Sequence, residues 1–132
     1  MGARVVAACM AAVVGLGPSG AARAQEDPAY PAATCAALWT AHARTPLGPA
    51  ADPLDYRDEA VRRSGNADAV DAYIATQTLR LTDLIYAYID LADEHSRELF
   101  EGLLRTCERF AAETPEIAAP GRPRDPVADP SG

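Results

Sequence analysis

The sequence predicts an all-α fold: a small three- to four-helix bundle stapled by one disulfide, with a disordered proline-rich C-terminal tail. Three observations carry this. Apolar residues between positions 31 and 113 recur at helical spacing, and no stretch alternates in the two-residue rhythm of a strand. Helix start and stop signals punctuate the same region at short intervals. Two cysteines, Cys35 and Cys107, remain once an export signal is removed, and thiols in an oxidising compartment tend to pair.

That export signal occupies residues 1–24. Arg4 precedes an unbroken apolar run from Val5 to Leu16, Gly17 and Pro18 break it, and Ala22-Arg23-Ala24 offers the small-x-small pattern cut by signal peptidase. The expected cut falls between Ala24 and Gln25. As a membrane anchor the run is too short, since its twelve residues rise only about 18 Å as a helix against a hydrocarbon core of about 30 Å. Lipidation at Cys9, within Val6-Ala7-Ala8-Cys9, is a second reading, opposed by the near absence of apolar residues upstream of the box. No later segment is long or apolar enough to cross a bilayer, so a soluble periplasmic product is expected.

Of 132 residues, 108 then remain, enough for one small domain with a modest core. The leader holds two of the twelve arginines and none of the nineteen acids, which takes the net charge from −7 to −9. That sign argues against nucleic acid, whose affinity comes from neutralised phosphates, and against docking on anionic lipid. Lysine is missing altogether and alanine is abundant, a pairing that reads as GC-rich coding bias. A Cys35–Cys107 bridge encloses about seventy residues and is worth on the order of 4 kcal/mol. Against a whole margin of about 5 to 10 kcal/mol that is a large share. Redox or metal roles for these cysteines lack a Cys-x-x-Cys pair and a third thiol.

The elements follow in order. Residues 25–30 are a short polar lead-in. Pro31 suits the first turn of a helix that carries Cys35, Leu38, Trp39 and His42 and ends before Pro46. Thr45 to Ala51 is a connector. Asp52 is the expected N-cap of a second helix, with Pro53 at its first position, Asp58–Arg62 and Glu59–Arg63 as i,i+4 pairs, and Gly65 as its stop. Asn66 caps a third. Its apolar face is Val70, Tyr73, Ile74, Gln77, Leu81, Leu84, Ile85, Tyr88 and Leu91. A fourth segment turns Leu99, Phe100, Leu103, Cys107 and Phe110 inward. No glycine or proline separates it from the third, but a single helix over 67–113 would be about 70 Å long, and a break near Asp93 to Ser96 is expected. From Thr114 to Gly132 five prolines and few large apolar groups predict a disordered tail.

Catalytic and cofactor signatures are absent from the sequence: there is no phosphate loop, nucleophile elbow or His-Glu-x-x-His. Haem attachment lacks Cys-x-x-Cys-His, and both methionines leave with the leader. A metal site shared by His42 and His95 with Asp93 or Glu94 is possible on ligand type alone; acids and histidines this close in sequence are common at solvated helix ends. No cofactor, metal or enzymatic activity is therefore expected. Trp39, Tyr73, Tyr88, Phe100 and Phe110 read as core, whereas Tyr86 falls off the apolar stripe and is the candidate partner contact.

The expected function is a non-enzymatic periplasmic interaction protein, binding a protein partner or a second copy or serving an envelope complex. The alternative is a ligand or metal binder with an inter-helix pocket near Trp39, His42 and Tyr88. In outline, an exported all-α chain with one disulfide joining its ends resembles the small periplasmic acid-stress chaperones. The resemblance is architectural and implies a chaperone-like mode: in acid the charge would swing from −9 toward about +12, and self-repulsion would expose client-binding surface.

Overall fold

A computed structural model of the chain describes residues 26–117. Among the described residues there are four helices and no strand: α1 Ala32–Arg44, α2 Pro53–Ser64, α3 Ala67–Leu91 and α4 Glu94–Glu113. The class, the bundle and the Cys35–Cys107 disulfide are those the sequence predicts. The leader, Cys9, the cut between Ala24 and Gln25, and the tail beyond residue 117 lie outside the described residues.

The core is organised around α1, which packs on α2, α3 and α4 at once. Eight of its thirteen residues are buried: Ala32, Ala33, Cys35, Ala36, Ala37, Leu38, Trp39 and Ala41. Those positions fall on every side of the helix. Five are alanines, whose single methyl lets neighbouring backbones approach closely while still excluding water. Alanine in α1 is thus a packing requirement as well as a trait of composition. Cys35 and Cys107, both fully buried, join α1 to α4 with their Cα atoms 5.6 Å apart across 72 residues of sequence.

The residues ahead of α1 contribute more than a polar lead-in. Asp27 reaches forward, its Oδ2 accepting from the Thr34 amide at 2.7 Å and the Thr34 hydroxyl at 2.8 Å. The first of those bonds satisfies one of the orphan amides of the first turn of α1, a job that the helix's own flanking residue, Pro31, does not perform. Because Thr34 spends its one hydroxyl hydrogen on Asp27, the Tyr73 hydroxyl, 2.8 Å away, is the donor to Thr34. Burial pushes the Tyr73 phenol above its ordinary value. The chain ahead of α1 is in this way tied to α3.

Between α1 and α2 the connector folds back on the helix it leaves: the Thr45 hydroxyl donates to His42 O at 2.8 Å, and Gly48 takes φ +77°, where a side chain would be strained. Asp52 caps α2 by accepting from the Leu54 amide at 2.9 Å, Pro53 stands at its start, and Gly65 ends it at φ +69°. Glu59 and Arg63 pair as expected, at 2.5 Å. Asp58 and Arg62 do not pair with each other: Asp58 meets Arg57, and Arg62 meets the nearly buried Glu59 one turn back and Glu116. Tyr56, not among the aromatics expected in the core, is its largest fully buried side chain.

The third and fourth helices are separate. Ala92 adopts φ +53° in the left-handed region, and the Ala87 carbonyl accepts the Asp93 amide at 3.1 Å. Asp93 then caps α4, its Oδ2 accepting from the Ser96 amide at 2.9 Å and the Ser96 hydroxyl at 2.6 Å. Leu91, 76% exposed, and Leu99, 48% exposed, point outward instead of joining the core. At the other end the buried stretch runs past the expected boundary at Glu113, because Thr114 and Ile117 are both covered.

On this architecture, replacing Cys35 and Cys107 together with alanine lowers the unfolding free energy by on the order of 4 kcal/mol, read from urea melts of the oxidised wild type and the variant. Asp93 gives a second expected outcome, since its carboxyl is held below its usual range first by the Ser96 hydroxyl and then by the Ser96 amide. With a folded value below the unfolded one of about 3.9, its charge stabilises the chain fully above that pH, and the contribution is lost as pH falls through the folded value. The stability gap between wild type and Asp93→Asn is therefore widest at neutral pH and narrows below about pH 4.

Candidate functional site

The aromatic residues expected to line a pocket do come together, but they fill the space between them. Trp39 and His42 lie one turn apart on α1, with ring centroids at 5.7 Å. Phe100 of α4 completes the row, 6.0 Å from His42 and 5.8 Å from Tyr88. Phe100 is the link that sequence reasoning did not supply. His42 Nδ1 sits 2.6 Å from the Gly48 carbonyl, which can only accept, so this nitrogen carries the proton and the ring is fixed to the connector. His95 is exposed at the start of α4. Among the described residues, no three or more of His, Cys, Asp and Glu are grouped so as to hold a metal ion.

Trp39 also meets Tyr56, with ring centroids at 6.2 Å, and Tyr56 in turn meets Phe110 at 6.2 Å. Burial pushes the Tyr56 phenol up, an effect that the neighbouring Trp39 opposes. Arg63 covers the outer side of Phe110, its guanidinium carbon 4.8 Å from the ring centroid, while its Nε pairs with Glu59. Long side chains thus bridge α2 and α4 where their backbones do not meet. This cluster closes the core around the disulfide.

A groove of about 390 Å³ lies elsewhere, where α1, α2 and α3 converge. Each wall is a stripe at helical spacing. Ala36, Thr40 and Arg44 come from α1, Pro53, Leu54 and Arg57 from the first turn of α2, and Asp71, Ile74, Ala75, Thr78 and Leu79 from α3. The small side chains of Ala36 and Ala75 leave the room. Leu54 and Leu79 stand largely exposed on facing helices.

Charge in the groove is arranged unevenly. Arg57 grips Asp71 with two bonds, Nε to Oδ1 and Nη2 to Oδ2, each 2.9 Å. The Asp71 carboxyl is held below its ordinary range by that arginine, and the guanidinium is raised in turn. Arg44, exposed at the end of α1, makes no ion pair among the described residues. Thr78 is 2% exposed, and its hydroxyl finds no hydrogen-bond partner among the described residues.

Tyr86, the candidate partner contact, is 37% exposed on α3. Leu79 lies seven residues before it, on the same outward face, so the stripe that begins in the groove continues along α3 past Asp83 to Tyr86. Leu54, Leu79 and the groove were not foreseen. The only signal for them in the sequence was the run of small residues at positions 36, 40, 75 and 78, which by itself points to packing. No protein-family model, curated protein or solved structure matches the chain.

A buried hydroxyl without a partner costs free energy that an isosteric methyl does not. Thr78→Val is accordingly expected to raise the unfolding free energy by about 1 kcal/mol in urea melts, whereas a drop in stability would mean that the hydroxyl is already satisfied.

Proposed function

We propose that this chain is an exported, non-enzymatic interaction protein that engages a protein partner through the outward face of α3 and the neighbouring edge of α2. The observation that carries the reading is the contiguity of Leu54, Leu79 and Tyr86. Single exposed leucines are ordinary on a soluble surface, but Leu54 and Leu79 flank one groove and Tyr86 extends the same face two turns further. Tyrosine is among the residues enriched at the energetic centre of a contact, and Ala72 and Ala75, two turns and one turn back on α3, leave Leu79 standing clear on the same face.

Export is part of the same proposal. It is supported by the charged, apolar and small-residue succession of residues 1–24 and by a disulfide that suits an oxidising compartment. Among the described residues no helix is long and apolar enough to cross a membrane. The absence of nucleophile, metal and phosphate motifs from the sequence supports a role in binding. In the chaperone-like version of this reading, the same apolar face would meet unfolded clients in acid.

The test is a photo-crosslinking residue placed at Tyr86 in the full chain expressed in its native cell, followed by mass spectrometry of the adduct. The expected adduct is one discrete species, carrying this chain cut before Gln25, and it is lost when Leu79→Asp is added. Leu79 is largely exposed, so that variant keeps its stability within about 0.5 kcal/mol of wild type. Failure to form an adduct, or an adduct indifferent to Leu79→Asp, contradicts the proposal.

A further inference from the structure

We infer that the groove between α1, α2 and α3 is a binding site for a small apolar monocarboxylate, with the carboxylate on Arg44 and the apolar body between Leu54, Ile74 and Leu79. This site shares Leu54 and Leu79 with the partner-binding face, but Tyr86 takes no part in it.

Size is the first argument. A volume of about 390 Å³ lies within the range of small-molecule pockets and is too small for a second helix to lie in. Composition is the second: Ala36, Pro53, Leu54, Ile74, Ala75 and Leu79 give each of the three helices an apolar share of the wall, beside three charged groups of the kind that orient one end of a ligand. Charge is the third. Arg57 and Asp71 neutralise each other through two 2.9 Å bonds, which leaves Arg44 to set the sign of the groove. The lining side chains thus sum to +1 in a chain whose net charge is −7; Asp58 and Asp71 both engage Arg57, and Arg44 is the cation left for an anion.

The floor adds a fourth observation. Thr78 is almost fully buried beneath the groove with its hydroxyl unpaired, while Thr40, one helix away, already donates its hydroxyl hydrogen to Ala36 O at 2.8 Å. Both hydroxyls are closed to a ligand, that of Thr40 by its bond and that of Thr78 by burial, so the floor offers an apolar body mainly methyl groups. Arginine offers the planar fork that a carboxylate fits.

Octanoate is a suitable probe, titrated into the oxidised protein by calorimetry and followed through amide chemical shifts. Saturable heat is expected, with the largest shifts at Thr40, Thr78 and Leu79. Octylammonium, of equal apolar length and opposite charge, is expected not to bind, and butyrate to bind more weakly than octanoate. Arg44→Gln reduces octanoate affinity by about fivefold, the scale of an exposed ion pair. Ala75→Trp, at an exposed position that fills the groove, abolishes binding, and circular dichroism confirms that both variants remain folded. Tyr86→Ala leaves octanoate affinity unchanged, which tells ligand binding in the groove apart from partner binding that needs Tyr86. The inference is overturned by octanoate shifts that spread over the whole surface, by equal binding of octylammonium, or by binding that survives Ala75→Trp in a folded chain.

Discussion

A helix built largely of alanine can be surrounded by three neighbours, and the surrounding is what the rest of this molecule depends on. Alanine lets α2, α3 and α4 approach α1 closely, but each methyl buries little apolar area, so a core of this kind gains less from burial than one of leucine and phenylalanine. The Cys35–Cys107 bond offsets that deficit from the other side, by restricting the unfolded chain over 72 residues. It also acts where the bundle most needs it. The backbones of α2 and α4 do not meet; Tyr56 and Arg63 reach across to Phe110, and the disulfide holds α4 to the shared axis.

The same choice of small side chains accounts for the groove. Ala36 and Ala75 line one space, and helices that carry only methyls there leave a trough beside the first turn of α2, so the large residues that border it, Leu54 and Leu79, stand exposed. Core and surface site are consequences of one feature of composition. The aromatic row Trp39, His42, Phe100 and Tyr88 stands on the opposite principle, with large rings in mutual contact that leave α1 fixed to α4 and to the connector.

Local signals in the sequence were enough for the helix boundaries. Asp52-Pro53, Gly65-Asn66 and the Asp93 to Ser96 turn each act within a few residues, and each is present in the structure as a cap or a left-handed stop. What escaped was long-range. Asp27 caps α1 from seven residues upstream of Thr34, a reach no capping rule anticipates. Leu91 and Leu99 keep the helical spacing of the apolar faces of α3 and α4, yet both stand exposed near the turn at Ala92, because spacing gives a residue's face but not how far along the helix its neighbours reach. Ile117, in a proline-rich context, is buried because α4 ends beside the core. The disulfide was legible because two cysteines allow one pairing; the groove was not, because its three walls come from three helices and none carries a chemical motif.

If α1 is the buried axis, its amides open only when the whole chain unfolds. Native-state hydrogen exchange of the oxidised protein measures this directly, residue by residue. The amides from Ala36 to Ala41 are expected to exchange with the free energy of global unfolding, and those at the outward face of α3 around Leu79 to exchange sooner. Exchange of the Ala36 to Ala41 amides through a cheaper, local opening, with α3 and α4 better protected, would contradict the account.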